Sequence, residues 1–313
     1  MEIKNNNIPV VFAVDDNYVP LLAVAINSIL KNSSKDYYYS FYILINQLKD
    51  ENKKLLQIFN TDNSSVTFLN VSNELDKISS RICLRDYYSN ATYFRMFVPD
   101  LLKQFNKAIY LDCDMVVVDD LSKLYNIDIG NNIVGAVTDD IVQVIPEFID
   151  YVENGLGVPS NKYFNAGLLV MNLEKMREVS FVDKFINSVK NYQFKVAQDQ
   201  DHLNVICYGD VCFIDNGWNK TPLQDDFKKE DLKLIHFKMA MRPWLNDNIP
   251  YEEYFWKCTS EIALTEYFKA WKKRITEEDR KKSAEVFSNL RKMCTEYAED
   301  ENNYYCVIRK HKN

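Results

Sequence analysis

The segment AIYLDCD at residues 108–114 joins a run of apolar residues directly to two aspartates, Asp112 and Asp114. Such a run is typical of a strand buried on both faces, and ligands of open α/β sheets bind beyond the carboxyl ends of strands. Two neighbouring carboxylates repel each other unless a cation lies between them, and a hard divalent ion also bridges to phosphate oxygens. The segment therefore predicts a metal and diphosphate site, although a surface turn after a strand is the alternative interpretation.

Strand and helix patterns alternate on the N-terminal side of this segment. Short apolar runs predict strands at residues 8–14, 41–45, 66–70 and 107–111. Helical spacing of apolar residues predicts helices at residues 19–32 and 50–59. This β-α-β-α order indicates an α/β fold with a sheet of the doubly wound type.

The pattern is mixed in the rest of the chain. Further strands are predicted at residues 115–118, 133–137, 167–171 and 211–214. Further helices are predicted at residues 93–105, with a break or fresh start at Pro99, and at 181–192 and 201–207. Residues 251–293 are charged and aromatic without a strand pattern, which favours helices. We therefore expect a catalytic domain over residues 1–250 and a helical C-terminal region over residues 251–313.

Composition argues against several classes of protein. The formal net charge of −7 disfavours a nucleic-acid partner. The seven cysteines form no CxxC pair, which is typical of reduced thiols and not of a disulfide framework or a zinc site. The N-terminus lacks the pattern of a signal peptide, and no apolar run approaches the roughly 18 residues of a membrane span. We therefore predict a cytoplasmic location.

Two other polar clusters are candidates for ligand binding. The first predicted strand is followed by Asp15, Asn17 and Tyr18, at the position where α/β folds hold a base and ribose. The alternative is that one of these residues is the N-cap of the next helix. Residues 198–201 read QDQD, and their amides and carboxylates suit the hydroxyl groups of a sugar. The alternative for QDQD is a helix N-terminus capped by an aspartate. His236 follows an apolar run, where a packed core histidine is more common than a metal ligand.

Together these blocks resemble glycosyltransferase family 8, the retaining GT-A family of bacterial lipopolysaccharide galactosyl- and glucosyltransferases and of glycogenin. The matching motifs are FAVDDNY (12–18), TYFR (92–95), LDCD (111–114), YFNAG (163–167), QDQD (198–201) and the segment from His236 to RPW (242–244). Each motif is weak alone, but their common order over about the first 250 residues is specific. The resemblance implies a GT-A fold, with a single Rossmann-like mixed sheet flanked by helices and a helical C-terminal appendage.

The resemblance also implies a role for each matching position. Mn²⁺, with Mg²⁺ as the alternative ion, would be held by Asp112, Asp114 and His236. Uridine would be contacted by Ala13, Asp15, Asn17 and Tyr18. Other contacts to the donor nucleotide-sugar would come from Arg95, Cys113, Asp139, Asn165, Lys238 and Arg242. For two of these the resemblance leaves an alternative, since Arg95 could instead orient the aspartate pair and Asp139 could contact the acceptor sugar. The catalytic positions would be Asp199, Gln200 and Asp201.

The implied reaction retains the anomeric configuration. A double displacement needs a carboxylate below the anomeric carbon, but the residue that the family places nearest is Gln200, whose amide is a poor nucleophile. We therefore favour a dissociative transfer on one face of the sugar, in which Asp199 receives sugar hydroxyls. Asp201 remains the candidate nucleophile for a covalent route.

These implications define an expected function, which is transfer of glucose or galactose from a UDP-sugar to a glycan, glycolipid or glycoprotein. Bacterial relatives usually have Gly at the position of Met239 and Lys at that of Arg242. Met239 keeps open the alternative of a catalytically weak member that binds UDP-sugars. The absence of GxGxxG disfavours a Rossmann oxidoreductase, and the absence of a glycine-rich basic loop near the start disfavours a nucleotidyltransferase.

The segment at residues 254–292 combines basic and aromatic residues. Residues 269–292 contain nine Lys or Arg and four acidic residues, although the protein is acidic overall. Basic residues beside aromatic rings are typical of peripheral contact with a membrane, here its inner face. The alternative is a helical cap that packs its aromatic residues inward and keeps its charges in water.

Overall fold

The main sheet of the computed structural model is mixed and has helices on both faces. The structure describes residues 6–78, 90–224 and 227–310, so the predicted thiol of Cys83 lies outside the described residues. The strands in these ranges are β1 (Asn7–Ala13), β2 (Tyr38–Ile45), β3 (Ser64–Asn70), β4 (Lys107–Leu111), β5 (Met115–Val117), β6 (Val134–Thr138), β7 (Phe164–Asn172), β8 (Val211–Phe213) and β9 (Leu234–His236).

The main sheet has the strand order β3-β2-β1-β4-β7-β6-β8. Strands β1 to β4 are parallel, β7 is antiparallel to both of its neighbours, and β8 is parallel to β6. Strands β5 and β9 pair with each other in a separate antiparallel sheet. The expected α/β class and Rossmann-like mixed sheet are confirmed. The segment predicted as a strand at residues 115–118 lies in the smaller sheet, which the sequence did not indicate.

The helices begin with α1 on one face of the sheet and end with a C-terminal group. In the described ranges they are α1 (Val19–Asn32), α2 (Asp50–Gln57), α3 (Ser72–Asp76), α4 (Val98–Leu101), α5 (Leu121–Tyr125), α6 (Pro146–Asp150), α7 (Leu173–Glu178), α8 (Phe181–Asn191), α9 (Asp199–Cys207), α10 (Glu252–Glu261), α11 (Thr265–Arg274), α12 (Glu277–Glu299) and α13 (Tyr304–Lys310). Short 3-10 segments cover Asn90–Phe97, Ser160–Lys162 and Asn216–Asn219, and a π-helical turn covers Tyr151–Gly155.

The helix predicted at residues 93–105 is shorter and irregular. The 3-10 segment Asn90–Phe97 leads into the single turn of α4, and Pro99 occupies an early position of that turn. Proline lacks an N–H group, so it starts a helix more easily than it continues one. The break or fresh start expected at Pro99 is therefore confirmed, but the helical segment ends at Leu101 instead of residue 105.

Alternating side chains of the strands belong to two different hydrophobic clusters. Val10 and Phe12 of β1 join the cluster that contains α1, whereas Val11 joins the cluster that contains α8. This division places one apolar layer on each face of the sheet. Burying each large aliphatic or aromatic side chain contributes about 1.5–3 kcal/mol, which explains why the central strands read as continuous apolar runs.

The C-terminal helices pack on two different clusters. Phe255 and Phe268 of α10 and α11 are buried beside α1, and Trp271 is partly buried there. Helix α12 joins a third cluster that contains the π-helical turn, to which it contributes Leu290 and Cys294. The expected helical character of the appendage is confirmed, and its aromatic residues largely point inward. Among the described residues, no helix is both long and apolar enough to cross a membrane.

Two glycines fix how closely the C-terminal helices approach the π-helical turn. A Cβ atom added to Gly157 would lie 2.3 Å from the ring of Tyr305 on α13, and Gly157 has a φ of +73°. A Cβ atom on Gly155 would lie 2.9 Å from the ring of Tyr297 on α12. These contacts leave no room for a side chain at either position.

We expect the substitution Gly157→Ala to lower the free energy of unfolding through both backbone strain and overpacking. Gly209 provides a matched control, because its φ is +94° but nothing lies within 4 Å of an added Cβ atom. Gly209→Ala should cost about 1–2 kcal/mol from strain, and Gly157→Ala about 1–3 kcal/mol more. Urea titration measures both values. Equal losses in the two variants would contradict the close seating of α13.

Candidate metal and donor site

The candidate site lies along one edge of the main sheet. Strand β4 ends there with Asp112 and Asp114 immediately after it, and β7 begins there because it runs antiparallel to β4. The backbone N–H of Asp112 donates to the carbonyl of Gly167 at 2.8 Å. Strand β6 also ends at this edge, since its Thr138 is paired with Phe164 of β7. The topology therefore brings together residues from the LDCD and YFNAG motifs.

The small sheet brings His236 to the aspartate pair. Its register places His236 of β9 opposite Met115 of β5, next to Asp114 in sequence. The Nε2 atom of His236 lies 3.2 Å from Asp114 Oδ1 and 3.9 Å from Asp112 Oδ2. One ligand atom from each of the three residues lies within 4.8 Å of the others. This clustering favours the ligand interpretation of His236 over that of a packed core histidine.

A chain of side-chain amides fixes the orientation of His236. The Nδ1 atom of His236 lies 2.9 Å from Asn219 Oδ1, and Asn219 Nδ2 donates to Asn165 Oδ1 at 2.9 Å. Because the Asn219 amide nitrogen is engaged with Asn165, its oxygen accepts a hydrogen bond from Nδ1–H. Nε2 then faces the two carboxylates, as in the orientation of many metal-binding histidines. Sequence analysis did not identify Asn219, since nothing in the segment NGWNK marks it.

Arg95 and Tyr110 hold the first aspartate. The buried guanidinium of Arg95 lies 2.9 Å from Asp112 Oδ1 and also donates to the carbonyl of Ala166. Tyr110 donates its hydroxyl to the same Asp112 oxygen at 3.1 Å, and the guanidinium lies over its ring at 4.4 Å. Burial alone would lower the pKa of Arg95, but Asp112 and Asp199 outweigh it and raise the pKa. Arg95 therefore stays positively charged, and this charge orients Asp112.

The residues present fit a divalent ion. Burial would raise the pKa of Asp114, but His236 and Arg242 outweigh this effect and lower it, so the carboxylate is ionised. Two carboxylate oxygens and one imidazole nitrogen would suit a hard divalent ion such as Mn²⁺ or Mg²⁺. Gly167 provides the necessary space, because an added Cβ atom would lie 2.4 Å from His236 Cε1 and 2.8 Å from Asp112 Oδ2.

A second polar cluster lies beside these three ligands. Asn165 Nδ2 donates to Asp139 Oδ2 at 2.9 Å and to Gln200 Oε1 at 3.1 Å. Lys238 Nζ lies 3.2 Å from Asp139 Oδ1. Burial would raise the pKa of Asp139, but the charge of Lys238 and hydrogen bonds from Asn165 and Gln200 lower it. Residues from three separate motifs thus form one network with Asp139, whose carboxylate is ionised.

The aspartates of QDQD have different surroundings at the start of α9. Asp199 accepts from Thr92 Oγ1 and lies 3.0 Å from Arg95 Nε, which connects it to the metal-ligand cluster. Asp201 is completely buried and accepts from the hydroxyls of Tyr151 and Tyr163. Burial raises the pKa of each carboxyl to about 6, against the opposing effects of Arg95 on Asp199 and of Tyr163 on Asp201.

The predicted uridine residues lie at the end of β1. Asp15 Oδ1 accepts from the backbone N–H groups of Asn17 and Tyr18 at 2.9 and 3.3 Å, which forms a local turn before helix α1. The N-cap of α1 is Tyr18, and no side chain among the described residues caps the helix. Cys113 donates its thiol to the carbonyl of Ala13 at 3.3 Å. This bond joins the LDCD segment to the end of β1 and places both motifs at the same edge of the sheet.

The loop after His236 contains both departures from the family pattern. Arg242 is buried, and its charge is one of the factors that lower the pKa of Asp114. Met239 has a φ of +55°, a left-handed backbone that favours glycine, and its side chain packs on the cluster shared with α12. The loop therefore keeps a cation near the ligands but carries a strained residue where relatives have glycine.

The fold and this site together define a glycosyltransferase of the GT-A type. The chain belongs to glycosyl transferase family 8, whose family profile matches residues 9–248. This match covers every site residue discussed above.

Relatives in other organisms agree with this assignment. A protein of Haemophilus influenzae, classed provisionally as a glycosyltransferase, is 35% identical over 243 residues, which is 76% of this chain and 71% of the relative. The lipopolysaccharide 1,2-glucosyltransferase of Escherichia coli is 28% identical over 253 residues, which is 75% of this chain and 72% of that enzyme. The solved structure of the galactosyltransferase LgtC with donor and acceptor sugar analogues has a TM-score of 0.64 and 25% identity, covering 88% of this chain and 100% of LgtC.

We expect Gly167→Ala to weaken Mn²⁺ binding by about 10- to 100-fold, because the new methyl group displaces His236 and Asp112. Gly135→Ala is a matched control on the neighbouring strand β6, where an added Cβ atom meets only aliphatic side chains. Calorimetric titration with Mn²⁺ measures the affinity, and thermal unfolding measures stability. If Gly135→Ala loses as much metal affinity as Gly167→Ala does, the prediction that a methyl group at residue 167 acts by displacing His236 and Asp112 is wrong.

Proposed function

We propose that the protein is a retaining, Mn²⁺-dependent hexosyltransferase that uses UDP-glucose or UDP-galactose as donor. The observation that carries this proposal is the network joining Asp112 through Arg95 to Asp199, and His236 through Asn219 to Asn165. It connects a set of metal ligands to a set of sugar-binding groups. A nucleotide-sugar has the matching arrangement, because its diphosphate, which binds metal ions, is attached directly to its sugar, which binds hydrogen-bonding groups.

The diphosphate end of the donor would lie against the metal ligands. Asp112, Asp114 and His236 would hold Mn²⁺, with Mg²⁺ as the alternative. When bound, the ion supplies positive charge to the departing diphosphate. Arg242 lies close enough to lower the pKa of Asp114, and we assign it an additional positive charge toward the phosphates. The uridine would extend toward Asp15, Asn17 and Tyr18 at the end of β1.

The sugar would lie against the amide and carboxylate cluster. Asp199 keeps a fixed orientation because Arg95 and Thr92 hold it from one side. Asn165 and Asp139 supply further acceptors and donors for hydroxyl groups. Since these groups are already ordered by their mutual hydrogen bonds, binding a sugar would cost little side-chain entropy.

The surroundings of Gln200 favour transfer on one face of the sugar. Its Oε1 accepts from Asn165 Nδ2 and from the backbone N–H of Ala166, and its Nε2 lies 3.2 Å from Asp139 Oδ2. An amide held at both ends is poorly placed to attack, but its carbonyl dipole can stabilise positive charge on the sugar. The acceptor oxygen would bond to the anomeric carbon as the bond to UDP breaks, and its proton would pass to a phosphate oxygen.

A neighbouring cleft of about 190 Å³ is our candidate for the acceptor. Its lining includes Asp140, Gln143, Asn219 and Phe227, which offer hydrogen bonds and an aromatic ring to a sugar. Asp140 directly follows Asp139 of the donor cluster, so the cleft adjoins the proposed reaction centre. The glucosyltransferase named for lipopolysaccharide supports a glycan or glycolipid acceptor here.

The location we propose is cytoplasmic. Inward packing of Phe255, Phe268 and Trp271 supports the interpretation of residues 254–292 as a cap rather than as a membrane anchor. Lys269, Lys273 and Arg280 surround an open groove beside Trp256, which is where peripheral contact with an anionic membrane surface would occur.

Met239 favours a second candidate, a family member that binds UDP-sugars with little turnover. Its left-handed backbone and partly buried side chain fix the loop beside the proposed metal ligands without the close backbone approach that glycine gives. A rise in turnover on Met239→Gly, with none on Met239→Ala, would favour this candidate.

We expect removal of the metal to abolish release of UDP from UDP-hexose, and added Mn²⁺ to restore it. Asp114→Asn keeps the shape but removes a charged ligand, so turnover should fall at least about 100-fold. Asp119→Asn is the control, because Asp119 lies beyond the other end of strand β5 and pairs with the exposed Lys123. Calorimetry of UDP with and without Mn²⁺ completes the test. Unchanged turnover in the chelated protein or in Asp114→Asn would overturn the metal assignment.

We expect Gln200→Ala to lower the turnover rate about 10- to 100-fold while changing donor affinity much less, since its carbonyl acts mainly in the transition state. Steady-state kinetics separates the two effects. NMR of the product made by the unmodified protein should show the same anomeric configuration as the donor. A product of inverted configuration would exclude the retaining mechanism, and equal losses of rate and affinity would reduce Gln200 to a binding residue.

A further inference from the structure

The carboxylate of Asp201 has hydrogen-bond donors on both oxygens. Tyr163 donates its hydroxyl to Oδ1 at 2.6 Å, while Tyr151 and the backbone N–H of Ala197 each donate to Oδ2 at 2.8 Å. The residue has no exposed surface. Burying a carboxylate costs free energy unless hydrogen-bond donors compensate it, so these three bonds together stabilise Asp201 in the interior. An attack on a sugar would require the carboxylate to leave all three.

The bond from Ala197 closes the turn that carries the proposed sugar-binding residues. Gln198, inside this turn, has φ +52° and ψ −114°, a backbone conformation that costs energy for any residue but glycine. Its buried amide finds no hydrogen-bond partner among the described residues, so its own side chain does not hold the turn. Two hydrogen bonds close the turn, one from the backbone N–H of Gln200 to the Ala197 carbonyl and one from the Ala197 N–H to Asp201. Asp201 therefore supplies the side-chain part of the compensation, and Asp199 and Gln200 lie inside the turn.

The same carboxylate connects this turn to the C-terminal region. Tyr151 begins the π-helical turn Tyr151–Gly155, and its ring packs on Tyr297 of α12 with ring centroids 5.4 Å apart. The hydroxyl of Tyr297 accepts from the backbone N–H of Tyr304 at 3.2 Å, which ties the start of α13 to the same contact. A continuous series of contacts thus runs from α13 through α12 and Tyr151 to Asp201.

We propose that Asp201 is a positioning residue, through which Tyr151, Tyr163 and helix α12 hold Asp199 and Gln200 in place for sugar transfer. This inference rests on the proposed function for the role of Asp199 and Gln200, but the ordering of the turn does not depend on that function. The C-terminal helices are then a part of the active-site framework. Asp201 does not form a covalent intermediate in this scheme.

The first test measures the order of the turn without any substrate. Hydrogen exchange of the backbone amide of Ala197, followed by NMR, reports directly on its bond to Asp201. Tyr151→Phe removes one hydroxyl and keeps the ring, so exchange should be about tenfold faster, the effect of losing one hydrogen bond. Tyr297→Ala should have a similar effect from outside the site. Tyr267→Ala, on the exposed face of α11, is the control and should leave exchange unchanged.

The second test uses the kinetics of the full-length protein. Tyr151→Phe and Asp201→Asn should each lower the turnover rate about 10- to 100-fold, with affinity for UDP and Mn²⁺ unchanged. The double variant should lose little more than Asp201→Asn alone, because both substitutions affect the same interaction. A covalent nucleophile predicts a different result, in which Asp201→Asn abolishes turnover and Tyr151→Phe leaves the rate within about twofold.

The two tests separate failure of this inference from failure of the proposed function. If Ala197 exchange is unchanged in both Tyr151→Phe and Tyr297→Ala, the positioning role is wrong whatever the activity. If exchange responds as expected but the unmodified protein releases no UDP from UDP-hexoses, the proposed function is wrong and the structural link stands. Additive losses in the double variant, or a glycosylated Asp201 found by mass spectrometry, would also overturn the inference.

Discussion

The guanidinium of Arg95 lies between two carboxylates, 2.9 Å from Asp112 and 3.0 Å from Asp199, with only about a twentieth of its surface exposed. Asp112 belongs to the proposed cluster of metal ligands, and Asp199 begins helix α9 on the side proposed for the sugar. Without a cation between them, the two carboxylates would repel each other, and the buried carboxylate of Asp199 would lack compensation for its burial. The buried charge of Arg95 therefore fixes the distance between the two ends of the site. It also explains why the site has order before any donor arrives.

Much of the fold could be predicted because the central strands are buried on both faces. Strand β4 has the boundaries expected from its apolar run, and helix α1 has those expected from its spacing. Strand β9 could not be found in this way, since three residues show no periodicity and its partner β5 lies far away in the sequence. An element can be predicted from sequence when burial determines the composition of that element. It cannot be predicted when pairing with a distant segment is what defines it.

The same distinction applies to the site. Asp112 and Asp114 stand out because a local pattern, an apolar strand followed by two acids, reflects their chemistry. Asn219 and Tyr110 act on a histidine and an aspartate through side-chain contacts, and no local pattern marks them. The motif QDQD is nearly symmetrical, so it could not show that Asp199 faces Arg95 while Asp201 faces two tyrosines. That difference arises entirely from tertiary packing around the first turn of α9.

The pairing of β5 with β9 has a consequence for the order of events during synthesis. One strand is next to the aspartates, and the other, much later in the chain, ends with the histidine. Closing such a long loop costs more entropy than closing a local hairpin, and only three residue pairs offset that cost. We therefore expect β5 and β9 to pair only after much of the main sheet has formed. A nascent chain on the ribosome thus holds two exposed carboxylates without their imidazole until residue 236 has left the exit tunnel. The three side chains of the proposed metal site therefore come together only late in biogenesis.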